Sequence, residues 1–452
     1  MRFVLLFLTV IMTCQFMFAL NEPAVELQRQ IAIQSASYHN SASHQAIRDN
    51  RESRHYNVGD THSFWRWNLS VMPPTWIQTP ATCRAVGEHC YLFVADSDWN
   101  THMTQANVDT VMVRLEQRTV NDPTKGLIQM DIDEFGPIPN ELDNDPKLIV
   151  FYSALGSFQG TSFDGYFSAY NEVTEAQAQQ MNPAGHSNEC EMIYMTCYPL
   201  NPVAPVRLSV LAHELCHMIH WGFDQSEATW VDEGLAELAM VKYGVPDPIT
   251  GFNSNPDLDL TAWTQSTSDY VKVMLFFTYL AEHYDQDHLI RDIMEDPENG
   301  MTSIANQVSS HIQDMTISDV FRDWTIANYI DKPTPDSALY NYSELTLPTF
   351  TLSYHYAQEF TNVSNITGTT QPWATDYIKI DQNQWYHHMA IQGNHPFYLS
   401  TIAIPTNTSD PWSVNPSETF DNFEWLNYYW AGAYVLVISN PSDTQLSYSF
   451  SL

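Results

Sequence analysis

Residues 206–244 read VRLSVLAHELCHMIHWGFDQSEATWVDEGLAELAMVKYG, and the rest of the chain is interpreted outward from them. Val206, Val210, His213 and His217 recur at helical intervals behind Pro205, which suits a first turn, so the spacing predicts a helix there. A second helix is expected from near Asp232 to a stop at Gly244. In HELCH the two histidines stand four residues apart, so on a helix both imidazoles project from one face and can share a zinc ion. Glu214 is offset by one residue, close enough to take a proton from a water at the metal without being a ligand.

A catalytic zinc site takes three protein ligands and keeps one position open. In a metzincin a glycine and then a third histidine would follow at fixed spacing, but His220 and Phe223 occupy those places, which excludes that subclass. Glu233, in WVDEGLAE at a helix start, is the candidate third ligand. Glu237 lies one turn further on the same face and is expected to accept a hydrogen bond from the ring nitrogen of His213 that the metal does not use. Cys216, inside the motif, reads as a small buried residue. Tyr270, opening the helix SDYVKVMLFFTYL, is the candidate donor to an oxyanion. His220 could line the cleft or support a ligand, and nothing in the spacing selects among His283, His288 and His311.

Around this centre the chain divides by pattern. Short apolar runs between Phe64 and Tyr170, such as CYLFVAD and KLIVFYSAL, suit strands of a mixed sheet, and EMIYM at 191–195 continues them. Helices through ISDVFRDWTIANYID lead to DKPTPDS, the candidate linker. Beyond it, alternation ending in YVLVISN and LSYSFSL suggests an antiparallel β-sandwich. The expected fold is α+β. Expected units are a signal peptide at 1–19, a polar arm or propeptide at 20–60, a zinc-peptidase domain at 61–335 and the sandwich at 340–452; 452 residues exceed one core.

The opening MRFVLLFLTVIMTCQFMFALNEP has the layout of a secretory signal, with cleavage after Ala19 and an uncleaved anchor or lipidated Cys14 as weaker alternatives. Asp and Glu total 53 against 18 Lys and Arg, and the net charge of -35 repels phosphate backbones and anionic lipids, so neither nucleic acid nor membrane is an expected partner once the signal is removed. Export fits two short-range disulfides, Cys83 with Cys90 and Cys190 with Cys197, at matching spacing. The acidic run DIDEFGPIPNELDNDP raises Ca2+ binding, although it fits no EF-hand loop.

The stretch HELCHMIHWGFDQSEATWVDEGLAELA resembles the metal-binding segment of hyicolysin-type bacterial metallopeptidases, within the thermolysin-like gluzincin clan. The likeness is specific over about 208–238 and looser at VGEHCYLFV, GYFSAY and FRDWTIANYID. The resemblance implies a mixed sheet edging a cleft above a mainly helical part. Residue by residue it implies zinc at His213, His217 and Glu233, Glu214 as base, Glu237 behind His213, and Tyr270 as oxyanion donor. The gap between motifs is shorter than in thermolysin, and Cys216 replaces a more usual polar residue. The activity implied is hydrolysis of protein or peptide substrates by an endopeptidase. Two rivals stand beside it: an exopeptidase, and a zinc-stabilised surface-binding or adhesion protein, against which the presence of Glu214 argues.

Overall fold

The computed structural model describes residues 54–71, 74–140, 142–158, 161–182, 184–332, 338–342, 345, 347–359, 365–381, 387–407, 411–416, 419–420, 424–428 and 432–451. The signal at 1–19, Cys14, most of the arm and most of the linker lie outside the described residues. The backbone clusters into two compact units, Met1–Pro246 and Asp247–Leu452.

In the first unit, strands β1 (Thr61–Asn68), β2 (Thr75–Val86) and β3 (Cys90–Ala95) form an antiparallel meander. Helices α1 (Gln105–Glu116) and α2 (Leu127–Phe135) then lead to β4 (Leu148–Ser153), which runs parallel to β3. A two-residue pair, β5 (Ser157–Phe158) and β6 (Thr161–Ser162), precedes β7 (Gly165–Phe167). Helix α3 (Glu175–Met181) comes before β8 (Met192–Thr196), parallel to β4 and antiparallel to β7. The sheet order is β1-β2-β3-β4-β8-β7. Every residue of β3, β4 and β8 is buried, as expected of strands that are central and covered on both faces.

Helices α4 (Pro205–Phe223) and α5 (Thr229–Tyr243) follow, as the apolar periods predict. Helix α4 packs against α5, α2, β7 and β8. It buries Leu208, Leu211, Leu215, Met218 and Ile219, each contributing about 1.5–3 kcal/mol of apolar burial. Helix α5 ends at Gly244, whose φ of +103° makes a left-handed cap, with its N–H donating to Met240 O and Val241 O.

The second unit holds α6 (Thr267–Tyr284), α7 (Leu289–Glu295), α8 (Met301–His311) and α9 (Ile317–Ile330). The strands are β9 (Tyr356–Glu359), β10 (Ile366–Thr370), β11 (Ala374–Asp381), β12 (His387–Gly393), β13 (Phe397–Pro405), β14 (Ser413–Asn415), β15 (Thr419–Phe420), β16 (Glu424–Tyr428), β17 (Gly432–Asn440) and β18 (Leu446–Ser451). They form two sheets, β10-β18-β12-β16 and β14-β13-β17-β11-β9, with β15 added beside β13. One cluster of buried side chains draws on both, including Ile378, Leu399 and Leu436 from one and Ile391, Tyr448 and Phe450 from the other. The pairing departs from the purely antiparallel expectation at β9, which runs parallel to β11. The contact division also falls well before the expected 335–340 boundary. Helix α9 shares buried hydrogen bonds with the strands: Thr325 Oγ1 meets Ser439 Oγ at 2.7 Å, and Tyr377 OH donates to Thr325 O at 2.6 Å.

Neither expected disulfide forms, and Cys83, Cys90, Cys190, Cys197 and Cys216 are buried free thiols. Cys190 and Cys197 flank the extended β8, so seven residues at about 3.3 Å each hold their Cα atoms far beyond the roughly 7 Å limit for a bridge. Cys83 is registered against Phe93, three residues along β3 from Cys90.

Candidate metal centre

Helix α4 carries His213 and His217 toward the start of α5, and the short connection 224–228 brings Glu233 back over them. His213 Nε2 and His217 Nε2 are 3.0 Å apart, and Glu233 Oε2 lies 3.4 Å from the first and 3.7 Å from the second. A four-coordinate zinc with bonds of about 2.0–2.1 Å would separate its ligand atoms by roughly 3.3–3.4 Å, so three edges of such a tetrahedron are already in place. Glu233 Oε2 is buried and accepts no well-formed hydrogen bond among the described residues, which leaves its lone pairs available to a cation. The three residues can hold a metal ion together.

The second ring nitrogens have carboxylates behind them. His213 Nδ1 is 3.4 Å from Glu237 Oε1, where the sequence places Glu237. His217 Nδ1 is 3.0 Å from Asp232 Oδ2, and Asp232 Oδ1 meets His220 Nδ1 at 2.8 Å. Asp232 was not singled out by sequence reasoning. Its signal was available: every ligating imidazole wants a partner for its other nitrogen, and Asp232 adjoins Glu233. His220 is 1% exposed and is joined to His217 through Asp232.

Burial works against a charge on His213, but Glu233 and Glu237 outweigh it and hold its pKa well above the histidine range. Burial likewise opposes His217, and Asp232 overcomes it, pushing the pKa up to about 9. Glu214 is 2% exposed, and burial raises its pKa against the lowering effect of the two histidines.

Glu214 Oε2 accepts the N–H of Phe167 at 2.7 Å, which ties α4 to β7. Sequence alone could not reveal this contact, because a backbone amide has no residue identity. A second tie is the ion pair between Arg207 in the first turn of α4 and Asp164 just before β7. Strand β7 pairs with β8 alone among the described strands, whereas β8 lies between β4 and β7. The Gly165–Phe167 part of GYFSAY therefore lies on the sheet edge, while Ala169 and Tyr170 enter a 3-10 turn, and residues 192–195 of EMIYM lie inside the sheet. Gly165 lets β7 lie close, since a Cβ there would come within 2.6 Å of Met195 Sδ and 2.8 Å of Tyr194 O.

Tyr270 belongs to the second unit, in the first turn of α6, edge-to-face with Trp263 at 4.9 Å. Lys272 fixes that turn by donating to Asp259 O and Asp269 Oδ1 at 2.7 and 2.6 Å. His283 and His311 take partners within the second unit, Asn341 O and Asp292. Cys216 is buried, and its thiol is raised by burial and by Asp131 on α2 rather than joining the ligands.

Described carboxylates of the acidic run from Asp131 to Asp145 take separate partners: Asp133 pairs with Lys125, Glu134 with Lys242, and Asp145 with His55 and Tyr91.

No protein-family model matches the chain. The chain is similar to the neutral metalloprotease ShpI of Staphylococcus hyicus, 25% identical over 223 residues, which is 43% of this chain and 49% of that protein. The likeness is to a metalloprotease. The chain spans about half the length of that relative. Among solved structures, the pre-peptidase C-terminal domain of a Bacillus anthracis collagenase aligns with 21% of this chain and 92% of its own length, at 13% identity and a TM-score of 0.17. A GH115 4-O-methyl-α-glucuronidase covers 67% of this chain and 51% of its own, at 9% identity and a TM-score of 0.13. Likenesses of that size carry no argument about fold or activity. Among the described residues no helix is long and apolar enough to cross a membrane.

Proposed function

We propose that this chain is a secreted zinc-dependent endopeptidase, with His213, His217 and Glu233 as zinc ligands and Glu214 as the general base. The observation that carries the reading is the convergence of His213 Nε2, His217 Nε2 and Glu233 Oε2 at near-tetrahedral spacing, one residue away from a buried carboxylate. In this proposal the peptidase domain is 61–335 and the β-sandwich 340–452.

When bound, zinc supplies Lewis acidity toward a water and the scissile carbonyl. Glu214 takes the water proton on Oε1 and passes it to the leaving amine, while the Phe167 N–H on Oε2 holds the carboxylate in one orientation. Asp232 and Glu237 hold the two imidazoles in the tautomer that leaves both Nε2 lone pairs facing inward. An extended substrate would lie along the sheet edge at β7, beside Glu214. The net charge of -35 favours neutral or cationic polypeptides over anionic ones.

The test is cleavage of unfolded casein by the wild-type chain and by Glu214→Gln, with zinc measured on the same samples. The expected result is equal zinc in both and about 10²–10⁴-fold less cleavage by the variant. If both hold zinc and neither cuts, even after the N-terminal arm is trimmed, the adhesion-protein reading replaces this one.

A further inference from the structure

Three neighbouring parallel strands of the first unit end on a second group of donors. Asp98 sits in the turn after β3, Ala154 directly after β4, and Cys197 directly after β8. In open sheets of parallel strands this carboxyl end is where ligands collect. The ligand atoms of Asp98, His102 and Cys197 all lie within 4.8 Å of one another. Asp98 is 4% exposed and Cys197 2%, so the oxygen and sulfur are withdrawn from solvent.

Each donor is oriented by its surroundings. Asp98 Oδ2 accepts the Ala154 N–H at 3.1 Å and the Ser97 hydroxyl at 3.3 Å, which leaves Oδ1 2.7 Å from His102 Nδ1. The N–H groups of Thr101, His102 and Met103 all donate to Asp98 O, closing the turn that presents both side chains. Tyr198 stacks on the His102 ring with centroids 4.2 Å apart, and Cys197 N donates to Ser153 O at 3.0 Å. Cys197 carries a free thiol because its expected partner Cys190 lies at the far end of β8.

We propose that Asp98, His102 and Cys197 form a second metal site that takes one borderline-soft divalent cation of the zinc type through oxygen, nitrogen and sulfur. One carboxylate beside a thiolate is a poor cage for calcium or magnesium, which want several oxygens, and suits zinc or cobalt. On binding, the Cys197 thiol proton leaves to solvent, the sulfur lone pair goes to the cation, and the His102 proton resides on Nε2 while Nδ1 ligates. The ion clips the turn after β3 to the end of β8 and stabilises the folded sheet by mass action. The site is separate from the His213 centre, which contains no sulfur.

The test loads the full chain with Co2+, counts bound metal, and records the thiolate-to-cobalt charge-transfer absorption, which only a sulfur-ligated ion gives. Wild type is expected to bind two equivalents and show the band. Cys197→Ser and His102→Ala should each lose one equivalent and the band, His213→Ala should lose the other equivalent and keep the band, and Cys216→Ala should change neither. A single equivalent with the band in wild type would support this site and overturn the His213 centre. A single equivalent without the band would support the His213 centre and overturn this site. A band that survives both Cys197→Ser and His102→Ala, or a Cys190–Cys197 linked peptide in a non-reducing digest, also overturns the proposal.

Discussion

Replacing Asp131 by Asn should change how the stability of this protein depends on pH. Asp131 lies in α2, which packs against α4, is 0% exposed, and neither carboxylate oxygen has a hydrogen-bond partner among the described residues. Burial, and then Glu134, hold its pKa well above the carboxylate range. The folded chain therefore keeps a proton that the unfolded chain releases at about pH 3.9. A group raised in the fold contributes fully below that pH, and its contribution is lost as pH rises toward the folded pKa. The slope is minus 2.303RT, or about 1.4 kcal/mol per pH unit, while the fold holds the proton and the unfolded chain does not. The amide of the Asp131→Asn variant has no such proton to release. Urea unfolding of both chains, followed by tryptophan fluorescence at several pH values from about 4 upward, should show the variant gaining on wild type by about 1.4 kcal/mol per unit. The offset between the curves at the lowest pH absorbs whatever the amide costs in packing, so only the slope is diagnostic. Parallel curves would show that Asp131 ionises in the fold, and the account of its burial would be wrong.

Asp232→Ala removes the partner of both His217 and His220 and should weaken zinc binding about 10–100-fold, measured by competition with a chromogenic chelator. Glu237→Ala, at a longer 3.4 Å contact, should weaken it less, and the opposite order would refute the assignment of Asp232. Gly244→Ala should destabilise the chain by at least about 1 kcal/mol, because φ is +103° and the new Cβ would lie 2.9 Å from Asn121 N; an unchanged urea midpoint would contradict this. Asp257, whose pKa burial pushes up to about 7, accepts the Gln371 N–H at 2.7 Å. Stability should fall as pH rises from about 4 to 7, and Asp257→Asn should remove part of that fall in thermal melts while leaving stability near pH 4 unchanged.

Much of the centre was legible because local periodicity is a property of neighbouring residues. Two histidines at i and i+4, a proline before them and a glycine after the next helix set both helices and the face on which the imidazoles sit. The buried strands were legible too, since CYLFVA, LIVFYS and MIYMT are apolar without alternation, as strands covered on both faces must be. Cysteine spacing misled, because equal intervals say nothing about whether the chain between two residues turns or runs straight. Between Cys190 and Cys197 it runs straight as β8.

By itself, then, the sequence determined the helices, the central strands and the pairing of HELCH with a downstream glutamate, all features carried by short-range pattern. Tertiary structure alone decided that Phe167 N binds Glu214, that Asp232 rather than any residue of α4 supports His217, that α9 is hydrogen-bonded to the C-terminal strands, and that Asp98 and Cys197 meet at one end of the sheet. These contacts join segments whose separation along the chain has no fixed period, so they exist only once the strands have taken their order and register.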